Sequence, residues 1–571
     1  MYQNSRNIFN LDNIISEHIE KENEESENHK LFNMERIQKK LTLRKKKINE
    51  KICNIRKIQL EKDESLKINT DKFIYLNEPF TIYISKLSEN YLDENKLIDL
   101  LNKISYIFEQ KYKQETSSCQ QQNTIYRFTI NDLIINNFID KINNLILKYL
   151  KSKKVILYLS RILLFSSLFI GNKLELEEDD SGYFISNDKY IDIYNKILEI
   201  YINDDSKIPY NMIVFIGNIL KETNYNQKSL FSSGTLNYII DSIDVEKDSK
   251  NILEEKIWCL SQFKQDEIYK VDWKFSLKVQ NIYYNIFLKK EKFNLFDDVN
   301  KKADENNFLF NYLKLIKNTS NCLEEIFIQN LVKSNILQYL FNNFINFNKD
   351  NNFLYVIIDT LINLSFAEFN LSKQIINIGA IEYLLKIISN KNYPISMRIG
   401  SFIPINNYIN DMQLWKIILY EKKVLEFYYI LLNDQDIESY IFSEICLSFF
   451  QLLYYGYPDN LKEIINSNLI EILCKDMKDI LKRNISEKSI YDCLTNFLSI
   501  IIQCLKMEEE ETELIDNICY IFKLYGGEEI IDKIIGIYSN TNLENRNNED
   551  KENINNLLEM SEKIKNNIKN I

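Results

Sequence analysis

Two histidines, His18 and His29, are all the imidazole this 571-residue chain possesses, and both lie near its start. The body therefore has none for a proton relay, a catalytic triad or a zinc site. Nine cysteines are scattered from Cys53 to Cys519 without a C-x-x-C pair, the pattern of reduced thiols rather than of metal ligands or a disulfide framework. No glycine-rich phosphate loop occurs. Carboxylates abound, but in an acidic chain they read as solvated faces. These residues point away from an enzyme, a metal or a cofactor and toward binding, and the strongest binding signal is charge. Residues 34–62 hold eleven Lys or Arg against three Glu, about +8; with a formal net charge of −11 overall, everything else sums to about −19. A basic arm on an acidic body is either delivered to an acidic partner or folded back on its own chain. A nuclear-targeting or nucleic-acid patch is the plainer reading. The acidic remainder, which repels phosphate, argues against direct nucleic-acid contact.

The elements that must position any binding face are helices. With 45% hydrophobic residues but only 10 Gly and 5 Pro, the chain has too few breakers for a turn-rich β fold. Residues 352–389 read as an apolar helix ending near Asn363, a short helix over 371–378, a turn at Gly379 and a helix over 381–388. The turn and the helix after it recur at Gly234, Asn335, Gly379, Lys423 and Asn468, the last four about 44 residues apart. Four of the five are Gly or Asn, the residues most tolerant of positive φ. Three helices in about 40 residues is the unit of an armadillo-type solenoid, which grows without closing one core. The expectation is an all-α, right-handed superhelical solenoid of about ten units over 71–540. It is preceded by the arm (1–70) and followed by a polar tail (541–571), with an acidic insertion at 175–180. The first residues carry no signal-peptide core. The apolar run 155–171 is short for a membrane span and carries Arg161 at its centre, so it reads as a buried helix rather than a span.

At the arm the pattern becomes specific. Leu43-Arg44-Lys45-Lys46-Lys47, then Glu50, then Arg56-Lys57 resembles the importin-β-binding segment of the importin α family, L-R-K-x-K followed by x-x-E and a basic cluster. The resemblance implies importin β as a partner, held through Arg44, Lys45, Lys47, Arg56 and Lys57. The decayed distal cluster, Asn54-Ile55-Arg56-Lys57, departs from the family and puts self-inhibition by the arm in doubt.

From 211 the chain also resembles the family's repeats, which carry W-x-x-x-N pairs. Asn218 and Glu222 take the Asn and acidic positions, with Val214 in place of Trp; Trp258 pairs with Gln262, Lys314 with Asn318, Asp359 with Asn363, and Phe402 with Asn406. Four of these polar residues precede a turn residue by 16 or 17 positions. In the family, positions i and i+4 share a face of the groove. The Asn amide pairs with the backbone of an extended cargo peptide, and stacked Trp rings hold its Lys stems at about 0.5–2 kcal/mol per contact. Only Trp258 matches, so the resemblance implies a weaker groove, and Pro404 is expected to kink its helix. The region around Gly526 and Gly527 resembles the family's terminal repeat, which binds an export receptor. Taken together, the resemblance implies a nuclear import adaptor for basic-signal cargo, present in cytoplasm and nucleus. The alternative is an armadillo scaffold that binds another extended partner without transport.

Overall fold

Left-handed backbone, recurring just before a helix, sets the rhythm of the fold. The computed structural model describes residues 80–87, 93–116, 133, 136–170, 188–222, 224–297, 302–304, 306–344, 350–434, 437–455, 468–482, 487–510, 520–539 and 548–569. Among them there are helices and turns and no strand. The basic arm with Arg44, Lys45, Lys47, Arg56 and Lys57, and the acidic insertion, lie outside the described residues. The chain forms two compact units, residues 1–177 with 304–306, and residues 178–303 with 307–571.

In the first unit, α1 (Phe80–Lys86) packs on α2 (Glu94–Thr116), α3 (Phe138–Tyr149) packs on α4 (Lys153–Ile170), and α2 runs against α4. Phe80, Phe108 and Phe138 meet at the centre, with ring centroids 5.4 to 6.2 Å apart. The apolar run flagged in the sequence is α4. Its Arg161 Nη2 lies 2.8 Å from Glu109 Oε2 on α2, both side chains being largely buried. Burial lowers the Arg161 pKa, opposed by the Glu109 charge, so the helix tolerates its cation only because the carboxylate comes with it. Among the described residues, no helix is long and apolar enough to cross a membrane.

The second unit opens with α5 (Asp188–Tyr201) and α6 (Ile208–Glu222), then repeats a three-helix pattern. The first triplet is α7 (Asn224–Ser232), α8 (Thr235–Asp241) and α9 (Lys250–Ser261). The second is α10 (Asp266–Val271), α11 (Trp273–Leu288) and α12 (Phe308–Thr319), and the third is α13 (Glu325–Lys333), α14 (Ile336–Phe344) and α15 (Asn351–Leu364). Then come α16 (Phe369–Asn377), α17 (Ala380–Ser389) and a split third helix, α18 (Ile395–Gly400) and α19 (Phe402–Ile409). A π-helical turn (Lys416–Glu421), α20 (Val424–Leu432) and α21 (Ser439–Tyr455) follow. The chain continues with α22 (Leu469–Lys482), α23 (Glu487–Glu510), α24 (Gly527–Ser539) and α25 (Asn548–Lys569). The split agrees with Pro404: lacking an N–H for the Gly400 carbonyl, it ends helical bonding one turn earlier, at Ser401.

All five turn residues read from the sequence have positive φ: Gly234 (78°), Asn335 (59°), Gly379 (104°), Lys423 (57°) and Asn468 (62°). Asn137 before α3 and Gly526 before α24 repeat the device. The copy missing between 234 and 335 is Asp272, which starts α11 at φ −94° and accepts a hydrogen bond from the Phe275 N–H at 2.9 Å instead. A capping carboxylate there does the work of a left-handed turn. Residues 548–569 differ from the expected polar tail. They form α25, packed on α23 and α24, with Ile554, Leu557, Ile564 and Ile568 buried at helical spacing.

Third helices pack in chain order, α6 on α9, α9 on α12, then α15, α19, α21, α23 and α25. Second helices follow a parallel course where α5 meets α8 and α8 meets α11, and again from α17 through α20 and α22 to α24. Each triplet thus buries its apolar residues against its neighbours, as with Leu361 and Leu364 of α15, both fully buried.

Candidate functional site

Of the residues expected to line a groove, Asn218 and Glu222 lie on α6, Trp258 on α9, Asn318 on α12, Asn363 on α15, and Phe402 and Asn406 on α19. Gln262 closes the C-terminus of α9. The structure thus brings all eight to one row of third helices. It gives them very different access to solvent.

Trp258 is 1% exposed and Gln262 is fully buried. The indole packs over Gly217 of α6, where an added Cβ would overlap the ring, and Lys221 of α6 holds its Nζ 5.1 Å from the ring centroid. The chain's own lysine therefore occupies the cation–π position on this indole. Gln262 turns its amide back on its own helix, Nε2 donating to the Trp258 carbonyl at 3.1 Å and to Ser261 Oγ at 3.0 Å. Phe402 is likewise core, stacked on Tyr428 with centroids 5.8 Å apart. Asn218 is buried. The Glu222 side chain lies outside what the structure describes.

The asparagines form a ladder, but one that runs from triplet to triplet. Asn318 Nδ2 donates to the Ser261 carbonyl at 3.1 Å and the Phe263 carbonyl at 2.9 Å, at the end of α9. Asn363 Nδ2 donates to the Lys317 carbonyl at 3.0 Å and to Ser320 Oγ at 2.9 Å, at the end of α12. Helix C-termini leave carbonyls without intrahelical partners, and an amide from the next triplet satisfies them. Each such bond contributes about 0.5–1.5 kcal/mol, and orphaning a buried carbonyl costs about 1–3. One step on, the ladder position is held by Asn407, whose Nδ2 donates to Ser365 Oγ at 2.7 Å. Asn406 faces the other way, buried, its Oδ1 accepting from Ser448 Oγ of α21 at 2.5 Å. Spacing could have found Asn407, which precedes Lys423 by 16 residues as Asn363 precedes Gly379. Asn496 on α23 also bonds the preceding third helix, but near the start of that helix rather than its end, donating to the Ser443 carbonyl of α21 at 3.1 Å and to Ser443 Oγ at 2.9 Å. The periodicity of third helices is the signal in the sequence that points to it.

Asn363, Asn407 and Asn496 are half-buried, whereas Asn318 is 2% exposed. Around them on the row, Tyr355, Val356, Asp359, Ile362 and Ile403 are also partly exposed. Farther along, the Glu444 carboxyl of α21 is pushed up to about 8 by burial and the nearby Asp492 charge of α23. Among the described residues, no group of His, Cys, Asp and Glu could hold a metal ion. The arrangement suits noncovalent recognition of an extended chain by amides and half-buried apolar side chains.

No family model matches the chain, and no curated protein does. Solved structures do match. The crystal structure of an engineered protein aligns at a TM-score of 0.52 and 13% identity, over 86% of this chain and 98% of its own. At that identity the likeness bears on the helical fold alone.

Proposed function

We propose that this chain is an armadillo-type adaptor, a solenoid of three-helix units whose third-helix row holds an extended basic peptide. On this reading the basic arm hands the loaded protein to importin β, and the chain works between cytoplasm and nucleus as an import carrier of basic-signal cargo. The single observation that supports it most is the repeating unit: left-handed turns at 335, 379, 423 and 468, with half-buried third-helix asparagines at 363 and 407 in step. The acidic body would draw in such a peptide and raise its association rate. An export receptor at the last triplets belongs to the same proposal.

A second reading is favoured by Trp258. With that indole buried under Lys221, and Phe402 in the core, neither of the two aromatic residues expected in the groove offers a slot for a lysine stem. A scaffold for some other extended partner, without transport, would need no such slots. Titrating a fluorescent lysine-rich signal peptide into the chain lacking residues 1–70 separates the two. Binding at low salt that falls with added salt and with Asn363→Ala supports the adaptor. Absence of binding leaves the scaffold.

A further inference from the structure

The hydrogen bonds that Asn363, Asn407 and Asn496 already make restrict what these half-buried side chains can offer. The Lys317 and Ser443 backbone carbonyls can only accept, so the Asn363 and Asn496 groups facing them are amide Nδ2. The hydroxyl partners are committed in the same sense. Ser320 Oγ already donates to the Lys317 carbonyl at 2.6 Å, and Ser365 Oγ donates to the Ile362 carbonyl at 2.7 Å. Each hydroxyl has one proton, so each must accept from asparagine, which settles the orientation of Asn407 as well. Asn363 and Asn496 thereby spend both Nδ2 protons on the preceding triplet. Among the described residues, the Oδ1 of Asn363, Asn407 and Asn496 accepts no hydrogen bond.

From this polarity we infer that the row reads hydrogen-bond donors: an extended peptide lying on Asn363, Asn407 and Asn496 is held through its own N–H groups, each given to an Asn Oδ1. The inference rests on the peptide-binding reading and sharpens it. An asparagine with a free amide pairs with a peptide bond both ways, donating to its carbonyl and accepting from its N–H. Here Asn363 and Asn496 commit both N–H groups to the fold and Asn407 one of its two, so at the first two positions the peptide carbonyls find no partner in the amide. Lysine and arginine, carrying three and five donors and no acceptor, suit such a face, whereas a segment rich in carboxylates or phosphates does not.

The test uses the full-length protein and one fluorescent lysine-rich signal peptide, read by anisotropy at low salt. Two series of peptides carry a single change at each backbone position in turn. An ester replaces one N–H by oxygen and removes a donor. A thioamide keeps the N–H, makes it a better donor, and weakens the acceptor. Esters at the positions facing the asparagines are expected to weaken binding about two- to tenfold each, the range of one lost hydrogen bond. Thioamides facing Asn363 and Asn496 leave binding unchanged or tighten it. Thioamides that weaken binding as much as the esters, or an ester series without effect, overturn the donor-only inference while leaving the peptide-binding reading intact. An unmodified peptide that does not bind overturns both.

Discussion

The ammonium of Lys221 lies 5.1 Å from the centre of the Trp258 ring, and the same indole rests on Gly217, one turn earlier in α6. Trp258 is thus a packing residue joining α6 to α9. Replacing it by Ala is expected to cost about 3–5 kcal/mol, the range for deleting a large buried aromatic. Gly217→Ala should destabilise through the same contact, since a methyl group there meets the ring. Urea unfolding of both variants checks this, and a loss below about 1 kcal/mol for Trp258→Ala would contradict the burial described.

Lys423 is a residue with a Cβ at φ 57°, in the role that Gly379 fills one triplet earlier. Its salt bridge to Glu426 is exposed and contributes little. Lys423→Gly should therefore stabilise the protein by about 0.5–1 kcal/mol: relief of left-handed strain is partly offset by the greater freedom of glycine in the unfolded chain. Gly379→Lys should do the reverse. Thermal melting of the pair reads both signs.

Glu444 links stability to pH. Its carboxyl titrates in the folded protein at about 8, well above the ordinary carboxylate range, so the folded state holds a proton that the unfolded chain releases. The associated stability is complete below the ordinary carboxylate range and is lost as pH rises through about 8. Melting temperatures should fall from about pH 5 to about pH 9, and Glu444→Gln, which keeps the neutral shape, should flatten that fall. Equal slopes in wild type and variant would rule Glu444 out as the source.

The arm gives a prediction that does not depend on the row. A peptide spanning residues 34–62 is expected to bind importin β with affinity that falls steeply with salt, because charge pairs dominate. Replacing Arg44, Lys45 and Lys47 together by Ala should abolish that binding. A triple variant that binds as tightly as the wild type would remove the arm's role in transport.

What the sequence disclosed follows from how strongly each feature is constrained. A left-handed turn admits few residues cheaply, so Gly234, Asn335, Gly379 and Asn468 could be read directly, and the spacing carried Lys423 with them. Helical periodicity located α15, α16 and α17 to within about two residues. The third-helix asparagines were less legible because one position along a helix turns a side chain by about 100°. Asn406 and Asn407 differ by that single step, and one is buried while the other reaches Ser365. Nor could composition reveal the direction of the amides: the partners of Asn363, Lys317 and Ser320, lie more than 40 residues upstream. Trp258 read as a slot from its spacing to Gln262, but Gly217 and Lys221, which close it, come from α6, three helices earlier in the chain.

Because each third helix of the second unit meets its predecessor and successor in chain order, loosening one end removes support from one neighbour at a time. Heat or a protease should accordingly peel this unit from its end, α25 first, while α12 and α15, flanked on both sides and tied by Asn363, open last. Hydrogen exchange would register that as protection graded along the chain, and a partner spanning several triplets would flatten the gradient by clamping units that otherwise open separately.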